Sequence, residues 1–190
     1  TAVLCTATQP VLGDLIQRFA PSHAISEICP EIPFYFDKFR RVTFRQVGVL
    51  EDDALAELLC AHEQVLCIIN SRKAAQSIFS KLPEEGSFHL STLMVPAHRR
   101  TVLEQIRRRL NDGLPCRVVS TSLVEAGVDI DFPAVYRELA GLDSILQAAG
   151  RCNREGKRAA EDSIVTIFRR TEKAPPLFGQ AIGATNIALD

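Results

Sequence analysis

Short apolar runs alternate with amphipathic stretches along most of this chain. Several of the runs are apolar throughout, which is typical of strands buried on both faces of a sheet. The pattern predicts six strands, at residues 41–47, 64–70, 88–95, 115–120, 134–137 and 163–168, and helices between them at residues 53–62, 71–82 and 96–110. Strands that alternate with helices in this way predict an α/β fold, a parallel sheet with helices on both faces and right-handed crossovers.

The first residues predict a separate piece of structure. Residues 1–4 are typical of a buried strand that ends in the hydroxyls of Thr6 and Thr8, and residues 11–19 are typical of a helix. Residues 21–33 are punctuated by proline, as in a linker. The chain opens with Thr inside an apolar strand, so we expect it to be a piece of a longer protein.

We therefore divide the chain into three parts. Residues 1–38 form the predicted N-terminal piece and linker, and residues 39–175 form the parallel sheet with its helices. Residues 176–190 have little periodicity and are predicted to be an irregular tail on the surface.

Composition narrows the possible partners. The net charge is −1, which argues against a polycation that binds nucleic acid indiscriminately. Most of the 22 basic residues are arginines, which suits phosphate binding, although genomic base composition gives the same bias. The 6 cysteines form no C-x-x-C pair or zinc spacing, and Cys5, Cys67 and Cys116 lie in or beside apolar runs; we expect core thiols, a reducing cytoplasm and no metal. No run is long enough to span a bilayer, and no signal peptide opens the chain.

The most informative chemistry lies near residue 150. Gln147, Arg151 and Arg154 recur at i, i+4 and i+7 of a predicted helix that Asp143 or Ser144 can N-cap. This spacing places them on a single helix face. Two aligned arginines repel each other, so we expect an anion opposite, and a triphosphate fits the guanidinium fork. A solvated basic helix face is the plain alternative.

Gly150 interrupts the same predicted helix. A glycine inside a helix costs about 1 kcal/mol relative to alanine, so it indicates a close approach of backbone there.

Two stretches carry a family resemblance. STSLVEAGVDID resembles motif V of superfamily 2 helicases, and QAAGRCNR resembles motif VI. The longer stretches SLVEAGVDIDFPAVYRE and LDSILQAAGRCNREG resemble the helicase half of the CRISPR-associated type I helicase-nucleases. The resemblance implies that residues 39–175 are the second RecA-like lobe of a helicase and that residues 1–38 are the end of the first lobe.

The resemblance also implies roles for individual residues. Arg151 and Arg154 would reach the γ-phosphate of ATP, and Gln147 would place water or bind nucleotide. The other implied roles are nucleotide contact for Gly127 and Asp129, nucleic-acid contact for Thr121, Asn70, Ser71, Arg72, His98 and Arg99, and coupling of the two sites for Thr6 and Thr8.

Local structure offers an alternative for several of these residues. Ser71 is also a suitable helix cap, and residues 96–100 are equally typical of a solvated helix start. Thr6 and Thr8 suit turn chemistry, and Asp129 and Asp131 suit turn capping. We favour a function for Asp129 and turn capping for Asp131.

The sequence lacks several motifs that a complete helicase-nuclease needs, so we expect other parts of the protein to supply them. It contains no G-x-x-x-x-G-K-[ST] and no acidic box, so ATP and Mg²⁺ would be held mainly by the missing first lobe, and the chain alone should be inactive as an ATPase. The family's His-Asp nuclease signature is absent too. The implied partners are single-stranded DNA, the first lobe and nuclease domain of the same chain, and an RNA-guided targeting complex. An RNA helicase or remodeller of this superfamily, or a non-catalytic lobe that docks a partner protein, stays open.

Overall fold

The computed structural model describes residues 18–19, 28, 31–125, 127–172 and 179–189. The chain divides into two compact units between Arg40 and Arg41. In the first unit, a helix α1 (Ile32–Lys38) starts with a proline in its first turn and overlaps the predicted linker. Thr6, Thr8, Cys5, the predicted strand at residues 1–4 and most of the predicted helix at residues 11–19 lie outside the described residues.

The second unit alternates strands and helices. Its elements in chain order are β1 (Thr43–Leu50), α2 (Asp52–Cys60), β2 (Gln64–Ile68), α3 (Arg72–Phe79), β3 (Ser87–Leu90), α4 (Pro96–Asn111), β4 (Cys116–Ser120), β5 (Ala134–Glu138), α5 (Leu142–Ala149), β6 (Ile164–Arg170) and α6 (Gly179–Leu189). Short 3-10 helices lie at Ser122–Val124 and Ala160–Asp162.

The strands form one six-stranded sheet in the order β1-β6-β5-β2-β4-β3, and every pairing is parallel. The three central strands are buried along almost their whole length, because helices cover both faces. The predicted α/β fold class, with its parallel sheet, is therefore confirmed.

Two apolar cores occupy the two faces of the sheet. One contains Ile106 of α4 and Ala148 of α5, packed against Leu66 and Val118 of the central strands. The other contains side chains of α2 and α3, packed against Cys67 and other residues of the opposite strand faces. Cys116 lies in the first core, so the predicted core positions of Cys67 and Cys116 are both confirmed.

The structure corrects two predicted elements. The strand predicted at residues 88–95 ends at Leu90, because Ser91 starts a turn in which its Oγ accepts a hydrogen bond from the Leu93 amide at 3.3 Å. The predicted irregular tail contains α6, whose Ile182 packs beside Leu139 and whose Thr185 is buried. The weak periodicity fits this structure, because the described side chains of α6 that are buried or half-buried are Ile182, Thr185 and Asn186, of which Ile182 alone is apolar.

No helix among the described residues has both the length and the apolar character needed to cross a membrane.

Candidate functional site

The carboxyl ends of the three central strands bring together residues that are far apart in sequence. Glu138 ends β5, Asn70 follows β2 by two residues, and Thr121 follows β4 directly. The neighbouring strand β3 is held at the same level, because the Thr121 amide donates to the Leu90 carbonyl at 3.2 Å. In a parallel sheet, this edge is where ligands usually bind.

A loop at residues 122–125 and 127–131, which we call the motif V loop, leads from the carboxyl end of β4 toward the start of β5. Val128 and Ile130 are buried in the core, so the alternating Asp129 and Asp131 point away from it. Gly127 has a φ of 70°, a backbone conformation that glycine adopts without strain. The side chain of Asp129 is 79% exposed. The loop therefore presents one carboxylate to solvent.

The predicted helix that carries Gln147, Arg151 and Arg154 is shorter than its pattern suggested. α5 begins at Leu142, with Gly141 rather than Asp143 or Ser144 at the N-cap, and ends at Ala149, with Gly150 as the C-cap. The prediction that the three side chains share one helix face is therefore wrong. Gly150 is the exposed C-cap and does not lie inside the helix. Backbone does approach it closely, as predicted, because a Cβ added there would lie 3.3 Å from the Gln147 carbonyl oxygen.

After Gly150 the chain pairs with the end of the motif V loop. The Phe132 amide donates to the Arg151 carbonyl at 2.9 Å, and the Asn153 amide donates back to the Phe132 carbonyl at 3.0 Å. Asn153 has a φ of 48°, a conformation that asparagine tolerates better than most residues. Its buried amide group binds the Arg41 and Arg158 carbonyls, which fixes the turn. This turn separates the two arginines that the helix was expected to align.

Arg151 turns inward and is 8% exposed. Its Nε donates to the Val124 carbonyl at 2.8 Å, and its Nη2 donates to the Glu125 carbonyl at 2.7 Å. Among the described residues, its hydrogen-bond acceptors are backbone carbonyls, with Gly150 as a longer third at 3.4 Å. Carbonyls satisfy the donors but leave the positive charge without a contacting carboxylate. Arg151 therefore does not belong to a solvated basic helix face, the plain alternative for these arginines.

Arg154 lies on the surface of the same loop. Its Nε contacts the Asp129 carboxylate at 2.7 Å, and 44% of its side chain is exposed. Its backbone amide donates to Asp131 at 2.7 Å, and Asp131 also faces Arg158 at 3.8 Å. Asp131 thus caps the turn, as its favoured structural alternative predicts. Asp129 and Arg154 therefore form an exposed ion pair beside the turn at Asn153.

The structure also contains a buried ion pair that the sequence analysis did not predict. Arg137 of β5 is 1% exposed, and its Nη2 lies 2.9 Å from Oε1 of Glu125, itself 8% exposed. Arg137 Nη1 also donates to Asn70 Oδ1 at 2.7 Å and to the Glu138 carbonyl at 2.8 Å. The Asn70 amide in turn donates to Glu138 Oε2 at 2.7 Å. One signal was available in the sequence, since Arg137 and Glu138 are charged residues inside an apolar strand.

Burial dominates the electrostatics of this region. It raises the pKa of Glu125, against the opposing effects of Arg137 and of a hydrogen bond from Ser144. It also raises the pKa of Glu138 and lowers that of Arg137. Burial lowers the pKa of Arg151, and the neighbouring charge of Arg154 acts in the same direction. Two like charges are therefore held close together beside the motif V loop.

The remaining predicted site residues take different positions. Thr121 is 6% exposed, and its buried Oγ1 has no hydrogen-bond partner among the described residues. Gln147 is half-buried on α5. Both ends of the Asn70 side-chain amide are engaged, because Nδ2 donates to the Leu139 carbonyl at 2.9 Å. The other predicted nucleic-acid contacts lie at helix starts: Ser71 is the N-cap of α3, Arg72 is its first residue, and His98 and Arg99 lie in the first turn of α4.

Comparison with known proteins identifies the family. The model of the family described as CRISPR-associated nuclease/helicase Cas3, C-terminal, matches residues 61–157. The CRISPR-associated nuclease/helicase Cas3 of Haloferax volcanii is 37% identical over 83 residues, which are 42% of this chain and 9% of that protein. That of Methanothermobacter thermautotrophicus is 27% identical over 131 residues, which are 66% of this chain and 16% of that protein.

A solved structure supports the same fold. The crystal structure of T. fusca Cas3-ATP matches 89% of this chain and 21% of its own, with a TM-score of 0.57 and 17% identity. This likeness concerns the fold, and it confirms the predicted RecA-like lobe. The chain spans only a small part of the length of these relatives. Because the family model covers just over half of its 190 residues, the chain belongs to the Cas3 family as part of its C-terminal helicase region.

Proposed function

We propose that this chain is the second lobe of an ATP-dependent translocase on single-stranded DNA, and that it supplies Arg151 and Arg154 to ATP bound mainly by a preceding lobe. The observation that carries the proposal is the surroundings of Arg151. It is a largely buried cation whose acceptors among the described residues are carbonyls, so its charge stays available to an anion at the strand ends. The T. fusca relative was crystallised with ATP.

The residues present fit a polyphosphate. Arg154 is exposed, and its ion pair with Asp129 is of the kind that contributes at most about 1 kcal/mol, so a more highly charged anion competes for it at little cost. Arg151 stays protonated despite the lowered pKa, since guanidinium groups titrate far above neutral pH. Bound ATP and Mg²⁺ would supply the phosphoryl group and its counter-ion. The two arginines would orient the terminal phosphate and stabilise its developing charge.

Nucleic acid would cross the other part of the strand edge. Ser71 and Arg72 open α3, and His98 and Arg99 lie in the first turn of α4, where backbone amides favour phosphate. Such contacts do not depend on base sequence and weaken as salt rises. Coupling of the two sites would involve Thr6 and Thr8. The full-length protein would also contain a nuclease domain and dock on an RNA-guided targeting complex.

The test is ATP turnover by the full-length protein that contains this chain. We expect Arg151→Ala and Arg154→Ala each to lower turnover by about 10³-fold or more, with the affinity for ATP retained. Arg108→Ala is the matched control, because Arg108 is 84% exposed on α4 and, among the described residues, pairs only with Asp112, the C-cap of that helix. Normal turnover in both Arg151→Ala and Arg154→Ala contradicts the proposal.

A second experiment tests whether the nucleic acid is DNA or RNA and whether the lobe takes part in catalysis. We expect single-stranded DNA to stimulate ATP turnover more than single-stranded RNA of the same length. Stronger stimulation by RNA identifies an RNA helicase of the same superfamily. The 190-residue chain alone should hydrolyse no ATP, because its sequence lacks the phosphate-binding loop and the acidic box. A full-length sequence that lacks both elements as well would identify a non-catalytic docking lobe.

A further inference from the structure

The buried ion pair between Arg137 and Glu125 connects strand β5 to the motif V loop. Arg137 is 1% exposed, and its guanidinium contacts Glu125 at 2.9 Å. Desolvation of two charges costs several kcal/mol each, so a buried ion pair is weak evidence for stability. An apolar pair of similar volume would fill the same space. The role of these charges is therefore better sought in the geometry that they impose.

That geometry reaches Arg151 through the main chain. The side chain of Glu125 is held by Arg137, while its carbonyl accepts from Arg151 Nη2 at 2.7 Å. The preceding carbonyl, of Val124, accepts from Arg151 Nε at 2.8 Å. The short 3-10 helix at Ser122–Val124 leads directly into Glu125, so a shift of the Glu125 side chain would move both acceptors together.

The same guanidinium also fixes the end of β2. Arg137 Nη1 donates to Asn70 Oδ1 at 2.7 Å, and Asn70 precedes Ser71, the N-cap of α3. The backbone amide of Asn70 also donates to Glu138 Oε2 at 2.7 Å. Arg137 is thus anchored on two strands, so that its position is set by the sheet rather than by the loop. The rigid partner in the ion pair is Arg137, and the positioned partner is Glu125.

We infer that Arg137 and Glu125 are positioning residues for Arg151: they hold the motif V loop so that its carbonyls aim this guanidinium at the nucleotide. The inference rests on the proposed function of Arg151 in ATP turnover. Neither residue is expected to touch ATP. Their loss should therefore lower the rate of turnover and leave the affinity for ATP unchanged.

The experiment is a double-mutant cycle in the full-length protein, with ATP turnover measured in saturating single-stranded DNA. Glu125→Gln keeps the shape of the side chain and removes its charge. Misplacement of a group by about 1 Å can cost on the order of 10²-fold in rate, and we expect a fall in kcat of that order with an unchanged KM for ATP. Added to Arg151→Ala, the same change should lower kcat less than about twofold, because residues that act through one another are not additive.

Two further variants make the cycle decisive. Arg137→Lys keeps the charge but cannot reach Glu125 and Asn70 together, so it should reproduce the effect of Glu125→Gln. Asp53→Asn is the matched control, because Asp53 pairs with Lys81 in an exposed ion pair on the face of the sheet opposite to Val128 and Ile130 of the motif V loop. It should leave kcat near that of the unchanged protein.

The outcomes separate this inference from the function beneath it. Full turnover in Glu125→Gln, while Arg151→Ala is impaired, overturns the positioning role and leaves the proposed function standing. An equal fall caused by Glu125→Gln in the presence and absence of Arg151 also overturns it, because the effect then does not pass through Arg151. Full turnover in Arg151→Ala overturns the proposed role of Arg151 in ATP turnover, and the inference with it.

Discussion

Arg151 and Arg154 belong to one short motif, yet their surroundings differ in kind. Arg151 is buried and held by backbone carbonyls of the motif V loop, while Arg154 is exposed and held by the carboxylate of Asp129. The turn at Asn153 separates them. Removal of Arg151 leaves buried carbonyls without donors, whereas removal of Arg154 leaves a carboxylate that water can solvate. Two arginines with one proposed chemical role should therefore contribute very differently to stability.

The largest expected effect is the difference in stability between the two alanine variants. Arg151→Ala should destabilise the motif V loop by about 2–4 kcal/mol, because it removes hydrogen bonds from a charged donor and leaves acceptors unsatisfied. Arg154→Ala should cost less than about 1 kcal/mol, as exposed ion pairs usually do. Hydrogen–deuterium exchange of residues 122–131 in the full-length protein measures both. Equal exchange in the two variants would show that the two surroundings do not differ energetically.

A smaller effect is expected at Gly127, which joins the half of the loop that binds Arg151 to the half that carries Asp129. A side chain there meets no atom within 4 Å, so the cost comes from the φ of 70°. Gly127→Ala should destabilise the loop by about 1–2 kcal/mol, and Gly127→Asn by less.

Gly48→Ala is the control for that strain, since Gly48 has a φ of 73° and equally open space on β1. It should leave exchange of residues 122–131 unchanged. Faster exchange of the motif V loop in Gly48→Ala, or unchanged exchange in Gly127→Ala, contradicts the prediction that Gly127 stabilises this loop through its positive φ.

The smallest expected effect is that the stability of the motif V loop around the buried Glu125 depends on pH. Burial raises the pKa of Glu125 above 4.5, so the folded loop binds the proton more tightly than the unfolded chain. This contribution to stability is complete below about pH 4.5 and is lost as pH rises through the raised pKa, with a slope of at most about 1.4 kcal/mol per pH unit.

Protection factors of the loop amides, corrected for intrinsic exchange, should therefore fall as pH rises above about 4.5. Glu125→Gln should flatten that part of the profile, because the amide does not titrate. An unchanged slope in Glu125→Gln would assign the dependence to another group, such as Glu138, whose pKa burial also raises.

The apolar pattern alone was enough to predict most of the second unit. Runs such as residues 64–70 and 115–120 had to be buried on both faces, which requires a parallel sheet with helices on each side. The resemblance in motifs V and VI placed the candidate site at one edge of that sheet, because the carboxyl ends of parallel strands meet there. Helix α6 was not predicted, because Ile182 is the one apolar residue among its described side chains that is not exposed.

The surroundings of the two arginines were decided by tertiary contacts. Helical spacing predicted that Arg151 and Arg154 share one helix face. In the structure, Phe132 pairs with the residues after Gly150, so the helix ends there and Arg151 turns inward. Arg137 and Glu125 are 12 residues apart in sequence and meet only because β5 lies beside the loop that leads into it. Local periodicity determines which residues enter a helix or strand, whereas the partners of a buried charge depend on segments that the fold brings together.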